Sequence, residues 1–213
     1  LKPWINIDGG HSSLSVSGAI TLTGFGSGGQ ISFGNFVGFT ATGGMTLSPG
    51  TAFSFIYLYD ILVELNLSLT VTGAATGSNG TYCVLNNLNS KFGLITGVLS
   101  DLEGYVSNSS FSTITYTSAN TSLLHAFDFY SNYIESTATV QRTGSGSGVI
   151  SDWVANRVIG TFTASGLNVT VRMDVDSCTS LPSAVSSAVI TYINIADTLN
   201  ANYTPTNYTP TNT

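Results

Sequence analysis

Ten apolar residues occupy consecutive odd positions from Phe53 to Val71: Phe53, Phe55, Tyr57, Tyr59, Ile61, Val63, Leu65, Leu67, Leu69 and Val71. Alternation at every second residue is the mark of a strand with one buried face. At about 3.3 Å per residue the run would span ~65 Å, far beyond an ordinary strand. A bend or bulge near Asp60, or two strands in series, is therefore expected. Asn66, Ser68, Thr70 and Thr72 fill the even positions of its second half and predict a wet outer face there. The segment Leu167, Val169, Val171, Met173, Val175 repeats the pattern, with Asn168, Thr170, Arg172 and Asp174 between.

Further strands are predicted over residues 31–40, 82–88, 92–99, 111–117, 158–164 and 188–196. Gly-rich clusters at 42–44, 76–80 and 143–148 read as turns between them. Leu123, Leu124, Phe127, Tyr130 and Ile134 fit helical spacing as well as a strand, and residues 152–156 fit a short helix. Many short strands joined by Gly- and Ser-rich turns predict an all-β fold, an antiparallel β-sandwich of Ig-like or jelly-roll-like form.

The two ends differ from this body. Near the N-terminus Leu14, Val16, Ile20 and Leu22 alternate with serine and threonine, and Gly24, Gly26, Gly28 and Gly29 follow at once as a flexible connector. Residues 202–213 carry a tandem Asn-Tyr-Thr-Pro-Thr repeat that predicts an extended tail. The expected division is a tail strand over 1–23, a glycine hinge over 24–30, a β-sandwich head over 31–201 and the repeat tail.

Composition narrows the functional classes. Of 213 residues 42% are hydrophobic, 11% are aromatic and only 8% are charged, with 5 Lys plus Arg against 11 Asp plus Glu and a net charge of −6. Mean hydropathy is +0.28, which argues for a packed core. Nucleic acid is not an expected partner, because phosphate binding needs clustered cations. A membrane surface would want a basic face, and the most apolar stretch, 53–71, is broken by Asp60, Glu64 and Asn66. The opening Leu-Lys-Pro-Trp reads as a mature end left after signal-peptide removal, with no membrane insertion expected of the mature chain.

A surface is ordinarily about 25–35% charged, so something else must hold water around this chain. Seven N-glycosylation sequons supply a candidate, at Asn66, Asn79, Asn108, Asn120, Asn168, Asn202 and Asn207. Seven is a mild excess over chance for this Asn, Ser and Thr content. None precedes Asn66, so the N-terminal third can bear no N-linked glycan. Sequons imply an extracellular life with covalent N-linked glycans and no other cofactor. In an oxidising compartment Cys83 and Cys178 are expected to form a disulfide, whose loop of roughly 95 residues would stabilise by ~4–5 kcal/mol. Neither cysteine has metal-ligand spacing.

Gly24 to Gly29 matches the spacing of a dinucleotide fingerprint, yet a strand follows rather than a helix, and no acidic residue appears until Asp60. His11 with Asp8, and Asp174 with Asp176, are the only tempting acid–base or metal groupings, and Asp174 and Asp176 read more simply as solvated polar residues on the outer face of a strand. His125, in an apolar stretch, reads as a core or interface histidine. No nucleophile elbow is present. Titratable groups are scarce, and catalysis needs them. The chain is not expected to be an enzyme.

An alternating N-terminal strand, a glycine hinge, a Ser/Thr-rich β domain and many sequons together resemble the thread filament subunits of thermoacidophilic crenarchaea. The resemblance covers the plan of the chain; the proline-containing repeat tail departs from it. It implies a glycosylated cell-surface filament that polymerises head to tail by donor-strand complementation, serving adhesion to other cells or surfaces. It assigns Leu14, Val16, Ile20 and Leu22 as donor-strand anchors and the glycines as their hinge. The competing readings are a surface-layer or virion-coat component, and a carbohydrate-binding β-sandwich using Trp4 or Trp153.

Overall fold

A computed structural model describes residues 3–24, 27–49, 53–74, 80–90, 93–119 and 127–142, with short segments between 153 and 194. Their strands in chain order are β1 (Trp4–Val16), β2 (Ile20–Thr23), β3 (Gln30–Ala41), β4 (Met45–Ser48), β5 (Ser54–Val63), β6 (Leu67–Thr72), β7 (Thr81–Ser90) and β8 (Ile95–Ser100). There follow β9 (Leu102–Ser107), β10 (Ser110–Ser118), β11 (Phe127–Tyr130), β12 (Tyr133–Arg142), β13 (Trp153–Val154), β14 (Arg157–Val158) and β15 (Thr161–Ser165). Last come β16 (Arg172–Asp174) and β17 (Tyr192–Asn194).

Odd-numbered strands β1 to β13 form one sheet, sheet A, and even-numbered strands β14 to β2 form a second, sheet B, which β15 joins beside β12. Every pairing among the described residues is parallel. The chain lays one strand in sheet A, crosses to sheet B, and returns one step along. Ile31 thus pairs with Ile56, Met45 with Leu69 and Thr115 with Thr139. This is a β-solenoid with a pitch usually of 24 or 25 residues, not the antiparallel sandwich that the alternation suggests. In this chain β1 lies parallel to β3, from Trp4 opposite Gln30 to Val16 opposite Ala41.

The physical source of the error is specific. Parallel sheets are ordinarily covered by helices on both faces and read as continuous apolar runs, whereas wet-faced antiparallel sheets alternate. In a solenoid the return path is another strand, so each parallel sheet keeps one face on the core and one in water. Alternation is then compatible with either direction.

The long odd-numbered run does divide, into β5 and β6, and it bends at Asp60 as well. Asp60 adopts φ 52, in the left-handed region. Before it Ser54, Ile56 and Leu58 face the core; after it Ile61 and Val63 do. Phe55, Tyr57 and Tyr59 consequently lie on the outer face, half-buried, and not in the core that the run predicts. Each early coil turns in this way, and His11, Asn35, Asp60, Asn87, Asn108 and Ser131 all have φ between 49 and 63. Asn and Asp tolerate that conformation better than other side-chain-bearing residues, which explains their recurrence.

From Asn35 onward the residue after each of these corners points inward, whereas Ser12 after His11 is exposed, and the chemistry of the inward residue changes along the solenoid. Phe36, Ile61 and Leu88 make an apolar stack; Ser109, Asn132 and Asn156 continue it as a buried polar ladder. Between the sheets Phe33, Phe36 and Phe39 cluster at one end, and Tyr116 stacks on Phe127 at 5.0 Å further along. Gly104, at φ +111, stands where a Cβ would run into the Cys83 carbonyl. Residues 127–130 are strand, not helix, and β13 occupies 153–154 where a short helix is expected from sequence.

Candidate functional site: the free end and the outer faces

Strands β1 and β2 terminate their sheets, and among the described residues nothing pairs with their outer edges. The consequence appears in burial. Ile5, Ile7, Leu14, Val16, Ile20 and Leu22 pack on the core but stay half-buried, while their register partners Ile31, Phe33, Phe39, Ala41, Met45 and Leu47 are buried. A stack of coils covers each layer from two sides except the last, which is why terminal repeats usually need a cap. Trp4, at the edge, is 70% exposed. Gln30 N–H donates to the Pro3 carbonyl at 2.9 Å, and Ile20 N–H donates to the Gly44 carbonyl at 3.0 Å. By strand alternation the N–H groups of Asn6 and Thr21 point the other way, off the free edge.

The structure therefore keeps the four apolar residues of the expected donor strand together, but inside the first coil of their own chain. The glycines beyond them form a bonded corner. Gly24 (φ 74) donates its N–H to Ser48, Gly28 has φ 75, and the Gly29 carbonyl accepts from Phe55 N–H at 3.0 Å. Gly26 lies outside the described residues.

Two sequons fall on described backbone. Asn66 is exposed one residue before β6, and Asn108 is exposed at a left-handed corner before β10. Asn79, Asn120, Asn168, Asn202 and Asn207 lie outside the described residues, as do the repeat tail, His125 and Asp176. Cys83 faces the core between Ile56 and Gly104 as a free, fully buried thiol, and burial pushes its pKa far up. Cys178 lies outside the described residues, and no disulfide is seen among the described ones.

Asp8 and His11 meet at the first corner as a structural element. The Asp8 carboxylate accepts Gly10 N–H at 2.8 Å and the Asn35 amide at 3.1 Å, with His11 nearby, and this holds it below the ordinary carboxyl range. Among the described residues no three His, Cys, Asp or Glu side chains gather as a metal site, and no helix is long and apolar enough to cross a membrane.

The outer faces were not anticipated from sequence. Sheet A carries Phe55, Tyr57, Tyr59, Tyr82, Tyr105 and Tyr130 on its wet side, with Phe55 and Tyr82 rings 6.4 Å apart and Tyr59 lying over Gly34. Sheet B is different. Its middle outer row runs Thr21, Thr46, Thr70, Val98, Thr115, Thr139 across six neighbouring strands. A parallel row runs Ser68, Thr96, Thr113, Thr137, and the third includes Thr72, Ser100, Thr117 and Gln141. A trace of it is present in the chain: Thr-x-Thr or Thr-x-Ser occurs at 21, 46, 70, 115, 137 and 161, most of them 22 to 25 residues from the next.

No protein-family description, curated protein or solved structure matches this chain.

Proposed function

We propose that the protein is a structural subunit of an extracellular, N-glycosylated filament, built by stacking the free coil of one solenoid on the end of the next. The open edge of β1 and β2 carries this reading. It presents backbone donors that have no partner among the described residues, beside half-buried Ile5, Ile7, Leu14, Val16, Ile20 and Leu22. Long uncovered edges are normally blunted by lysine, proline or bulges that twist them away; along the edge of β2 there is no lysine or proline. Head-to-tail stacking does not close on itself and so yields a fibre. The pairing of β1 with β3 favours coil stacking over donor-strand exchange as the form of that polymer. Glycans at Asn66 and Asn108, at exposed corners, would supply the hydration that a chain with 8% charge lacks.

The test is electron microscopy of the full-length chain carrying Asn6→Pro with Thr21→Pro. Proline is tolerated on edge strands, and both N–H groups point away from their own sheets, so the fold should survive while fibres disappear. Fibres of undiminished length from the folded double variant would sink the stacking model.

A further inference from the structure

The sheet B face has chemistry of its own. Its three outer rows contain Thr, Ser, Val and Gln and no charged residue, whereas the sheet A face carries Asp8, Glu103 and Asp128. Thr21, Thr23, Thr46, Ser68, Thr96 and Val98 are exposed. Apart from Gln141 every position is β-branched or small, and the rows repeat at the strand spacing of about 4.8 Å. Charges on exposed sheets are the usual guard against sheet-to-sheet association. Here that guard is missing from the three rows, and Glu135 of β12 stands only at their margin, its carboxyl beside Gly93.

We propose that the threonine face of sheet B is a lateral contact that packs against the same face of a second copy, so that assembled filaments bundle. This rests on the filament reading above. A periodic surface is matched along its whole length only by a partner of the same period, and another copy has that period by construction. Two such faces meeting across a two-fold axis interdigitate methyl groups, with hydroxyls left to bond across the contact; this is the packing of a dry zipper. Val98, 43% exposed in the middle of the central row, lies at the centre of the contact. The sequons at Asn66 and Asn108 sit at corners beside the face, so their glycans would flank the contact.

Magnitude decides the form of the association. Six strands and three rows cover about 24 Å by 13 Å between outermost positions, well below the ~800 Å² per partner of a lasting interface. One pair of faces is therefore too weak to hold two free subunits together. Repetition along a filament multiplies it. Free subunits stay single, and filaments associate.

The experiment compares full-length glycosylated wild type with Val98→Lys plus Thr115→Lys, which sets like charges against each other across the contact. Wild-type filaments are expected to bundle in micrographs and to pellet at low speed. The folded lysine variant should form single filaments, with the pelleted fraction lowered at least about tenfold and partly restored by high salt, which screens the charges. Val98→Thr is expected to bundle like wild type. Undiminished bundling of the lysine variant overturns the proposal. Single wild-type filaments overturn it too, while leaving the filament reading intact; a wild-type chain that forms no filaments removes both. Wild-type filaments that stay single but bind crystalline cellulose or ice through Val98 and Thr115 would identify a lattice, not a second copy, as the occupant.

Discussion

The side-chain oxygen of Asn156 accepts two hydrogen bonds from Asn132, one from its backbone N–H and one from its side-chain amide, each at 2.9 Å. The same unit is handed down the solenoid. Asn132 Oδ1 accepts Ser109 N–H at 3.1 Å, and Ser109 Oγ accepts Leu88 N–H at 3.0 Å. Asn132 also donates to the Val106 carbonyl, and Asn156 to that of Phe129. At these corners the backbone leaves the sheet ladder, and its polar groups would otherwise be buried without partners. The ladder supplies them from the next coil, so each coil fixes the height and register of its neighbour.

Removing one rung should be expensive. Asn132→Ala strands the Ser109 N–H, the Val106 carbonyl and part of the Asn156 amide, each worth about 1–3 kcal/mol when buried and unpaired. A loss of about 3 kcal/mol or more is expected in urea unfolding of the purified chain. Asn66→Gln, at an exposed corner, should stay within about 0.5 kcal/mol in unglycosylated protein. Equal stability of the two variants would exclude the ladder as a major support.

The left-handed corners predict an inverted substitution order. At Asn87 (φ 54), whose amide donates to Asp60 at 2.7 Å, valine pays about 1–2 kcal/mol for the conformation and loses the bond. Glycine loses only the bond. Thermal melts should therefore rank wild type above or near Asn87→Gly, with Asn87→Val clearly lowest, although valine is the better strand former.

Asp8 gives a pH signature. Its carboxylate is held below the ordinary value of 3.8 chiefly by the Gly10 N–H, then by the Asn35 amide and His11. A depressed folded pKa stabilises the protein above the unfolded pKa, and that contribution is lost as pH falls through the folded one. NMR titration should place the Asp8 midpoint below 3.8. Asn35→Gly should move it upward without removing the corner; an unmoved midpoint would show that Asn35 does not hold the carboxylate.

Cys83 tests the interior directly. Burial raises its thiol pKa far above the usual range, and reactivity belongs to the thiolate. In a Cys178→Ser chain a thiol reagent should label Cys83 only after denaturant is added, even at mildly alkaline pH. Rapid labelling of the native chain would contradict its place between Ile56 and Gly104.

Much of the candidate assembly edge was legible residue by residue. Leu14, Val16, Ile20 and Leu22 were identified as one apolar row, and they do share the inner side of the first coil. A strand followed by glycines looks the same in sequence whether the glycines are a hinge or a bonded corner. Only the hydrogen bonds of Gly24 and Gly29 to the next coil distinguish the two. The threonine face was missed for a different reason. Thr-x-Thr is ordinary strand composition, and it becomes a surface only when the coils bring residues about 24 apart into one row.

The sequence alone determined the all-β content, the turn at 42–44, the scarcity of charge, and the facing of simple strands: Leu67, Leu69 and Val71 in, Ser68, Thr70 and Thr72 largely out. Where a left-handed Asp60 reverses the alternation, the same reasoning put Phe55, Tyr57 and Tyr59 on the wrong side. Strand direction, partner and coil order were decided by tertiary structure. Alternation has a period of two residues and reports only which side of a strand meets the core. The choice of neighbour lies in backbone hydrogen bonds that nearly every residue offers alike, made across some 24 residues of chain, so the local pattern carries little trace of it.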